Sequence, residues 1–257
     1  MENGKNNNQN FKKPITFLQI NSQHSKTVAG ELFKISNDKK LDILLIQEPY
    51  NFKHKIIAFP NSKIITGGKI DEEKMSAIIV LNNDLEIIKL EQFCTTHTVV
   101  IKMTNGLGWI TIINSYVQFS EEIEKYIEEI ENILKILGNG RVIISMDSNS
   151  KSTMWFNNIT DGKGKKMEQF IAENNLVISN KPIIIHININ INGLTNIDLT
   201  LITNNLIDNI FNWKVHENLT VSDHNVITFN INFGKQDKII IENNKNRYST
   251  KKNNKRN

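Results

Sequence analysis

Four short stretches carry side chains able to do chemistry together: Gln47-Glu48-Pro49, Met146-Asp147-Ser148-Asn149, Ile197-Asp198-Leu199-Thr200-Leu201 and Ser222-Asp223-His224. The acids sit where apolar runs that read as buried strands begin or end. A strand that ends in a carboxylate places it at the rim of its sheet, and neighbouring strands of this kind make their acids converge. Two carboxylates about 4 Å apart repel by roughly 4 kcal/mol at an effective dielectric near 20. Such a cluster calls for a cation, and Mg²⁺ is the usual one where oxygen ligands meet phosphate. The implied chemistry is metal-assisted hydrolysis of a phosphodiester.

The elements that must position these residues alternate along the chain. Residues 14–21 read as a first buried strand ending in Asn21, and Val28, Ala29, Leu32, Phe33 and Ile35 give residues 25–36 an amphipathic helical face. Residues 41–47 form a continuous apolar strand stopped by Glu48-Pro49, where the proline holds Glu48 extended and removes a ladder donor. Strands are expected at 75–81, 85–90, 98–103 and 109–116, separated by Asn-Asn and Asn-Gly turn signals. Ser120 reads as the N-cap of the plainest helix, with Ile123, Tyr126, Ile127, Ile130, Ile133, Leu134 and Leu137 at steps of three and four and Gly138-Asn139-Gly140 closing it. Residues 141–145 then run directly into Asp147. A short helix at 167–174 and strands at 197–202, 213–216 and 226–233 complete an α/β pattern whose polar residues share one rim.

Composition bounds the remaining possibilities. The 257 residues, 39% hydrophobic and 23% charged, suit one large α/β domain over residues 14–234 after a polar, mobile lead at 1–13. The net charge of +4 is uneven: residues 235–257 hold eight basic and two acidic side chains, which leaves −2 for the rest. A basic stretch of this kind is either a solvated terminus or a contact for phosphate backbones, each neutralised phosphate adding about 0.9 to the salt slope of duplex binding. The single Cys94 has no partner for a disulfide and no His or Cys at zinc-ligand spacing. No apolar run reaches the ~20 residues of a membrane span, and Met1-Glu2-Asn3-Gly4-Lys5 does not open a secretory signal, so an intracellular place without a membrane partner is expected.

The ordered series Gln-Ile-Asn at 19–21, Gln-Glu-Pro at 47–49, Asn-Ser-Tyr at 114–116, Asp-Ser-Asn at 147–149, Ile-Asp-Leu-Thr-Leu at 197–201 and Ser-Asp-His at 222–224 resembles the endonuclease/exonuclease/phosphatase (DNase I-like) superfamily. Ser150-Lys151-Ser152 with Trp155, then Asp161-Gly162-Lys163-Gly164 and Arg247-Tyr248-Ser249-Thr250-Lys251-Lys252, is similar more narrowly to the endonuclease domain of LINE-type non-LTR retrotransposons. Single pieces of the series are weak; six in the right order are specific.

The resemblance implies a four-layer α/β sandwich, two packed mixed sheets flanked by helices, with the site at one rim. It implies that Glu48, assisted by Asn21, binds Mg²⁺ (or Mn²⁺), that Asp147 orients and deprotonates the attacking water, and that Asn149 donates to the phosphate. His224 would contact phosphate oxygens, its ring oriented by Asp198; Tyr116 would act near the scissile phosphate, Asp223 would join the metal or water site, and Ser152 and Trp155 would support the loop beside the DNA. The implied partner is double-stranded DNA, nicked for target-primed reverse transcription in the nucleus. The chain stops where such an element would continue into a reverse transcriptase, so an isolated domain or fragment is expected. Two other readings stay open: abasic-site repair or another phosphodiesterase of the superfamily, and an inactive remnant that binds DNA through its basic stretch. Gln23 and Met146 depart from the usual Asn or Asp and Gly of the family. The first implies a weaker outer contact at the metal, the second a crowded rim.

Overall fold

The computed structural model describes residues 13–182 and 196–233. Residues 1–12 of the polar lead, His186 with the Ile-Asn alternation, and the basic stretch 235–257 lie outside the described residues. In chain order the elements are β1 (Ile15–Asn21), α1 (Lys26–Asp38), β2 (Ile43–Gln47), β3 (Lys63–Thr66), β4 (Ser76–Val80), β5 (Glu86–Lys89), β6 (Thr98–Thr104), β7 (Trp109–Tyr116), α2 (Glu124–Leu137), β8 (Val142–Asp147), α3 (Gly162–Glu173), β9 (Leu176–Ile178), β10 (Asp198–Thr203), β11 (Ile210–His216) and β12 (Val226–Ile231). They form two six-stranded mixed sheets, ordered β11-β12-β1-β2-β4-β3 and β5-β6-β7-β8-β10-β9. The parallel pairs are β1 with β2 and β7 with β8.

Alternation along the strands builds the layers. Phe17, Ile43, Leu45 and Ile78 from the first sheet meet Val99, Ile101, Ile112 and Ile143 from the second in the central core. Their neighbours Leu18, Ile20, Leu44 and Ile79 turn the other way to cover Val28 and Leu32 of α1. On the far side Ile113, Ile144, Met146 and Leu201 pack against Ile127 and Ile130 of α2 and Met167 and Phe170 of α3. The outcome is the expected four-layer sandwich.

Local chemistry sets the helix limits, in two places differently from expectation. Ser25 caps α1, its side chain accepting from the Val28 N–H at 3.2 Å. Ser120 does not cap α2: it lies in a turn, the helix starts at Glu124, and the cap position is Ile123 without a side-chain bond. Glu121 is instead held by Lys125 at 2.9 Å and by the Tyr126 hydroxyl at 2.7 Å, which turns the segment before the helix begins. Gly138, at φ 58, ends α2 as its sequence implies. α3 begins at Gly162, well before 167, because Asp161 accepts the Gly164 N–H at 2.6 Å as its cap. β3 and β9, with four and three residues, fell below any legible period.

The interface between the sheets is apolar except near one rim, where buried amides stitch it. Asn114 on β7 donates its side-chain amide across the gap to the carbonyls of Ile46 and Ala77, both at 3.0 Å. Gln47 returns a bond to Asn114 Oδ1 at 2.6 Å, and Gln19 on β1 reaches the Leu199 carbonyl at 3.1 Å and accepts from Thr200 Oγ1 at 2.9 Å. In low-dielectric surroundings a satisfied network of this kind fixes the relative setting of its elements. Asn114→Ala should therefore lower unfolding free energy by about 3 kcal/mol, since it strands several buried acceptors at once. A loss below about 1 kcal/mol in urea titration would show that the network does not hold the sheets in register.

Candidate active site

Strand register alone brings most of the expected residues together. In the second sheet Tyr116 of β7 lies beside Asp147 of β8, and Asp147 is directly opposite Asp198 of β10. In the first sheet Asn21 ends β1 beside Gln47, and Glu48 follows at once. The Asn21 amide nitrogen joins the sheets, donating at 2.8 Å to Glu48 Oε2 and at 2.8 Å to Asp147 Oδ2. His224 places Nδ1 2.8 Å from Asp198 Oδ2 and Nε2 3.9 Å from Asp147 Oδ2. Ligand atoms of Asp147, Asp198 and His224 all lie within 4.8 Å of one another.

The loops behind these residues are locked by backbone bonds. Glu48 and Asn149 both adopt left-handed backbone, at φ 45 and φ 43, which costs a non-glycine residue on the order of 1 kcal/mol; Glu48 is thus not extended as Pro49 implied, because bonds to its own N–H and carbonyl override that preference. Glu48 is held there by its N–H to the Met75 carbonyl at 2.9 Å and by the Ser22 hydroxyl and His24 N–H on its own carbonyl, each at 2.8 Å. Asn149 gives its backbone N–H to Asp147 Oδ1 at 3.1 Å and one side-chain N–H to the Val117 carbonyl at 2.8 Å. Ser222 anchors the His224 loop by donating to the Asn21 carbonyl at 2.8 Å.

The electrostatics follow from this crowding. Burial, then the neighbouring Asp198 charge, pushes Asp147 up to about 7, against the pull of His224 and the Asn21 amide. Burial alone would lower His224, but the Asp198 carboxylate outweighs it and, with Asp147 and Glu48, raises the imidazole to about 9. For Glu48 burial is likewise overcome: bonds from His24, Asn21 and Tyr116 hold it below the ordinary carboxylate range. Burial and the Glu48 and Asp147 charges keep the Tyr116 phenol protonated. Asp198 Oδ1 is buried with no hydrogen-bond partner among the described residues.

The remaining expected residues take less direct places. Asp223 is exposed and bonds Gln23, accepting at 3.2 Å from Nε2 while its N–H donates to Oε1 at 3.1 Å. Gln23 thus fastens the Ser222–His224 loop. Ser152 and Trp155 are fully buried below the rim. Ser152 accepts from the Met154 N–H and donates to Glu168, and Trp155 Nε1 donates to the Ser150 carbonyl at 3.2 Å, so both act on the loop from beneath. Gly164 lets α3 approach that loop, for an added Cβ would meet the Lys151 carbonyl at 1.9 Å. Met146 does not crowd the rim: its side chain packs with the α2 and α3 layer.

Two histidines at the site were not singled out from sequence. His24 Nε2 lies 3.5 Å from Glu48 Oε1, and its Nδ1 lies 3.7 Å from Glu73; the bond to Glu48 raises its pKa. His97 stacks on Tyr116 with centroids 6.1 Å apart. The only signal for His24 was its place three residues after Asn21, whereas His97 is far from every motif in sequence.

A family model described as endonuclease-reverse transcriptase matches residues 110–228. The Pol polyprotein of the type-1 retrotransposable element R1 of Bradysia coprophila is 24% identical over 165 residues, which are 61% of this chain and 16% of that polyprotein. The endonuclease domain of TRAS1, a telomere-specific non-LTR retrotransposon, is 31% identical, with a TM-score of 0.74 over 85% of this chain and 98% of that domain. The chain belongs to the non-LTR retrotransposon endonuclease domains. Within the wider endonuclease/exonuclease/phosphatase fold, this endonuclease domain also matches an AP endonuclease from Leishmania major, with a TM-score of 0.66 over 86% of this chain and 88% of that one. At 11% identity that likeness concerns the fold alone.

The Asp198–His224 pair of the domain gives a test by titration. A folded-state pKa above the unfolded value means stabilisation that is complete below about pH 6.5 and is lost as pH climbs through about 9. NMR titration of the metal-free domain should find His224 with a midpoint near 9. In Asp198→Asn the midpoint should fall, because burial is then opposed only by the Asp147 and Glu48 charges; an unmoved midpoint would show that Asp198 does not hold the ring.

Proposed function

We propose that this chain is a Mg²⁺-dependent DNA endonuclease that nicks one strand to leave a 3′ hydroxyl for target-primed reverse transcription, at nuclear DNA and with a reverse transcriptase as neighbour in the full element. The single observation that carries the reading is the bridge of Glu48, Asn21 and Asp147 beside the Asp147–Asp198–His224 cluster. The residues fit a hard divalent cation. Oxygen donors converge, burial and the neighbouring Asp198 charge raise Asp147, and Asp198 keeps a buried oxygen with no partner among the described residues. Glu48, low in pKa and partly open to solvent, is the ligand we assign to Mg²⁺, or to Mn²⁺ in its place. Asn21 sets the spacing of Glu48 from Asp147 rather than acting alone. Bound there, the ion supplies Lewis-acid polarisation of the phosphate.

The protein side of the reaction is then simple. Asp147, near neutrality in proton affinity, takes a proton from the water that attacks phosphorus. The P–O3′ bond breaks, the 3′ oxygen takes up a proton from solvent while Asp147 releases its own to solvent, and the products are a 3′ hydroxyl and a 5′ phosphate. His224, charged and fixed by Asp198, presents its Nε2–H to a phosphate oxygen. The free side-chain N–H of Asn149 and the Tyr116 hydroxyl supply neutral donors. Asp223, exposed, holds the loop with Gln23.

On supercoiled plasmid the full chain should give open circles in Mg²⁺ and none in EDTA. Asp147→Ala and His224→Ala should each slow nicking by about 10²- to 10⁴-fold. Nicking that survives EDTA, or is untouched by both substitutions, would refute the mechanism. Intact and abasic duplexes compared side by side separate target nicking from abasic-site repair: strong preference for the abasic strand would favour repair. Salt-sensitive binding without cleavage in Mg²⁺ or Mn²⁺ would mark an inactive binding remnant.

A further inference from the structure

Beside the edge strands β3 and β5 lies a cleft of about 420 Å³, lined among others by His54, Lys55, Ile56, Ile64, Lys74 and Lys89. It is an open cleft whose volume falls in the range of small-ligand sites. Lys74 is the informative residue. It is 6% exposed, and its ammonium has one partner among the described residues, the Lys69 carbonyl. An ammonium has three donors, and a buried charge without a counter-charge is costly. Lys89 is already matched by Glu91 at 2.6 Å, whereas Lys55 and His54 stand exposed on the cleft wall with no ion pair among the described residues. Although Glu72 lies against Gly68 and Glu91 holds Lys89, no carboxylate among the described residues pairs with Lys74, Lys55 or His54, and an anionic ligand would offset that surplus of positive charge.

The cleft is also tied to the catalytic loop. The Asn51 side chain accepts the Lys74 N–H at 3.1 Å, donates to the Lys74 carbonyl at 2.9 Å and donates to the Pro49 carbonyl at 2.7 Å. Lys74 is thereby fixed one residue before Met75, whose carbonyl holds the Glu48 N–H. Whatever anion occupies the cleft is set at a constant offset from Glu48. Ile56 and Ile64 offer an apolar wall beside the cations, the pairing that a sugar-phosphate needs.

We propose that this cleft clamps a backbone phosphate of the DNA strand flanking the scissile linkage on the Glu48 side, with the adjoining sugar against Ile56 and Ile64. The assignment rests on the nuclease reading of the rim and adds to it a second phosphate contact that sets the register of the strand.

The test is binding rather than cleavage, by fluorescence anisotropy of the full chain on a labelled short duplex across a salt titration. Lys55→Ala and Lys74→Met should each reduce the slope of log affinity against log salt by about 0.9 and weaken binding roughly 3- to 10-fold. Thermal melting checks that Lys74→Met stays folded, and the exposed Lys55→Ala tests the clamp regardless. An unchanged slope and affinity in Lys55→Ala and in folded Lys74→Met overturns the proposal. Inorganic phosphate or a mononucleotide displacing the duplex as effectively as unlabelled duplex would make this a small-anion site and also overturn it. Duplex binding with the full slope change but no nicking would remove the nuclease reading and leave the clamp. Normal nicking with unaltered slopes would do the reverse.

Discussion

Asp147 and Asp198 face each other on adjacent antiparallel strands, both almost completely buried. Like charges directly opposite in a sheet are destabilising, and the rest of the rim is built around that repulsion. Asn21 donates to one acid, His224 pairs with the other, and the strain that remains shows as a raised Asp147 and a charged His224. A fold selected for stability alone would have an apolar residue at one of these positions. Its persistence with both acids is understandable if positive charge arrives with a cation and a phosphate is bound in turn.

The scaffold serves that arrangement by rigidity. Amides of Gln19, Gln47 and Asn114 cross between the sheets a short way below the acids, so β1 and β8 hold a constant distance at the rim. The loops that carry Glu48 and Asn149 are held in left-handed turns by backbone bonds instead of by glycine. Trp155 and Ser152 support the second of these loops from beneath, with Gly164 and Glu168 of α3 packed behind them. Residues at the ends of different strands, far apart in the chain, thus share one surface because strand ends are the places where register, once set, fixes side-chain direction.

Much of this was legible in the sequence because strand ends are. The apolar runs before Asn21, Glu48 and Asp147 located three site residues and their common rim, and the strand beginning at Asp198 located a fourth. What was not legible depended on tertiary neighbours. Ser120 has the type and place of a cap, but Lys125 and Tyr126 claim Glu121 and delay the helix. Met146 read as an intruder because sequence does not say which face of β8 it takes; it takes the helix side. His24 and His97 became visible only when neighbouring strands of one sheet brought their end loops together, and β3 and β9 were too short to show a period. The buried state of Lys74 could not have been guessed from a segment that reads Asp-Glu-Glu-Lys.

The proposed chemistry depends on a divalent ion held at Glu48 beside Asp147. Calorimetric titration of the metal-free chain with Mn²⁺ tests that most directly. It should show saturable binding whose affinity falls at least about tenfold in Glu48→Gln and also falls in Asn21→Ala, where the spacing of the two acids is released. Absence of binding, or binding that Glu48→Gln leaves as tight as before, would contradict it.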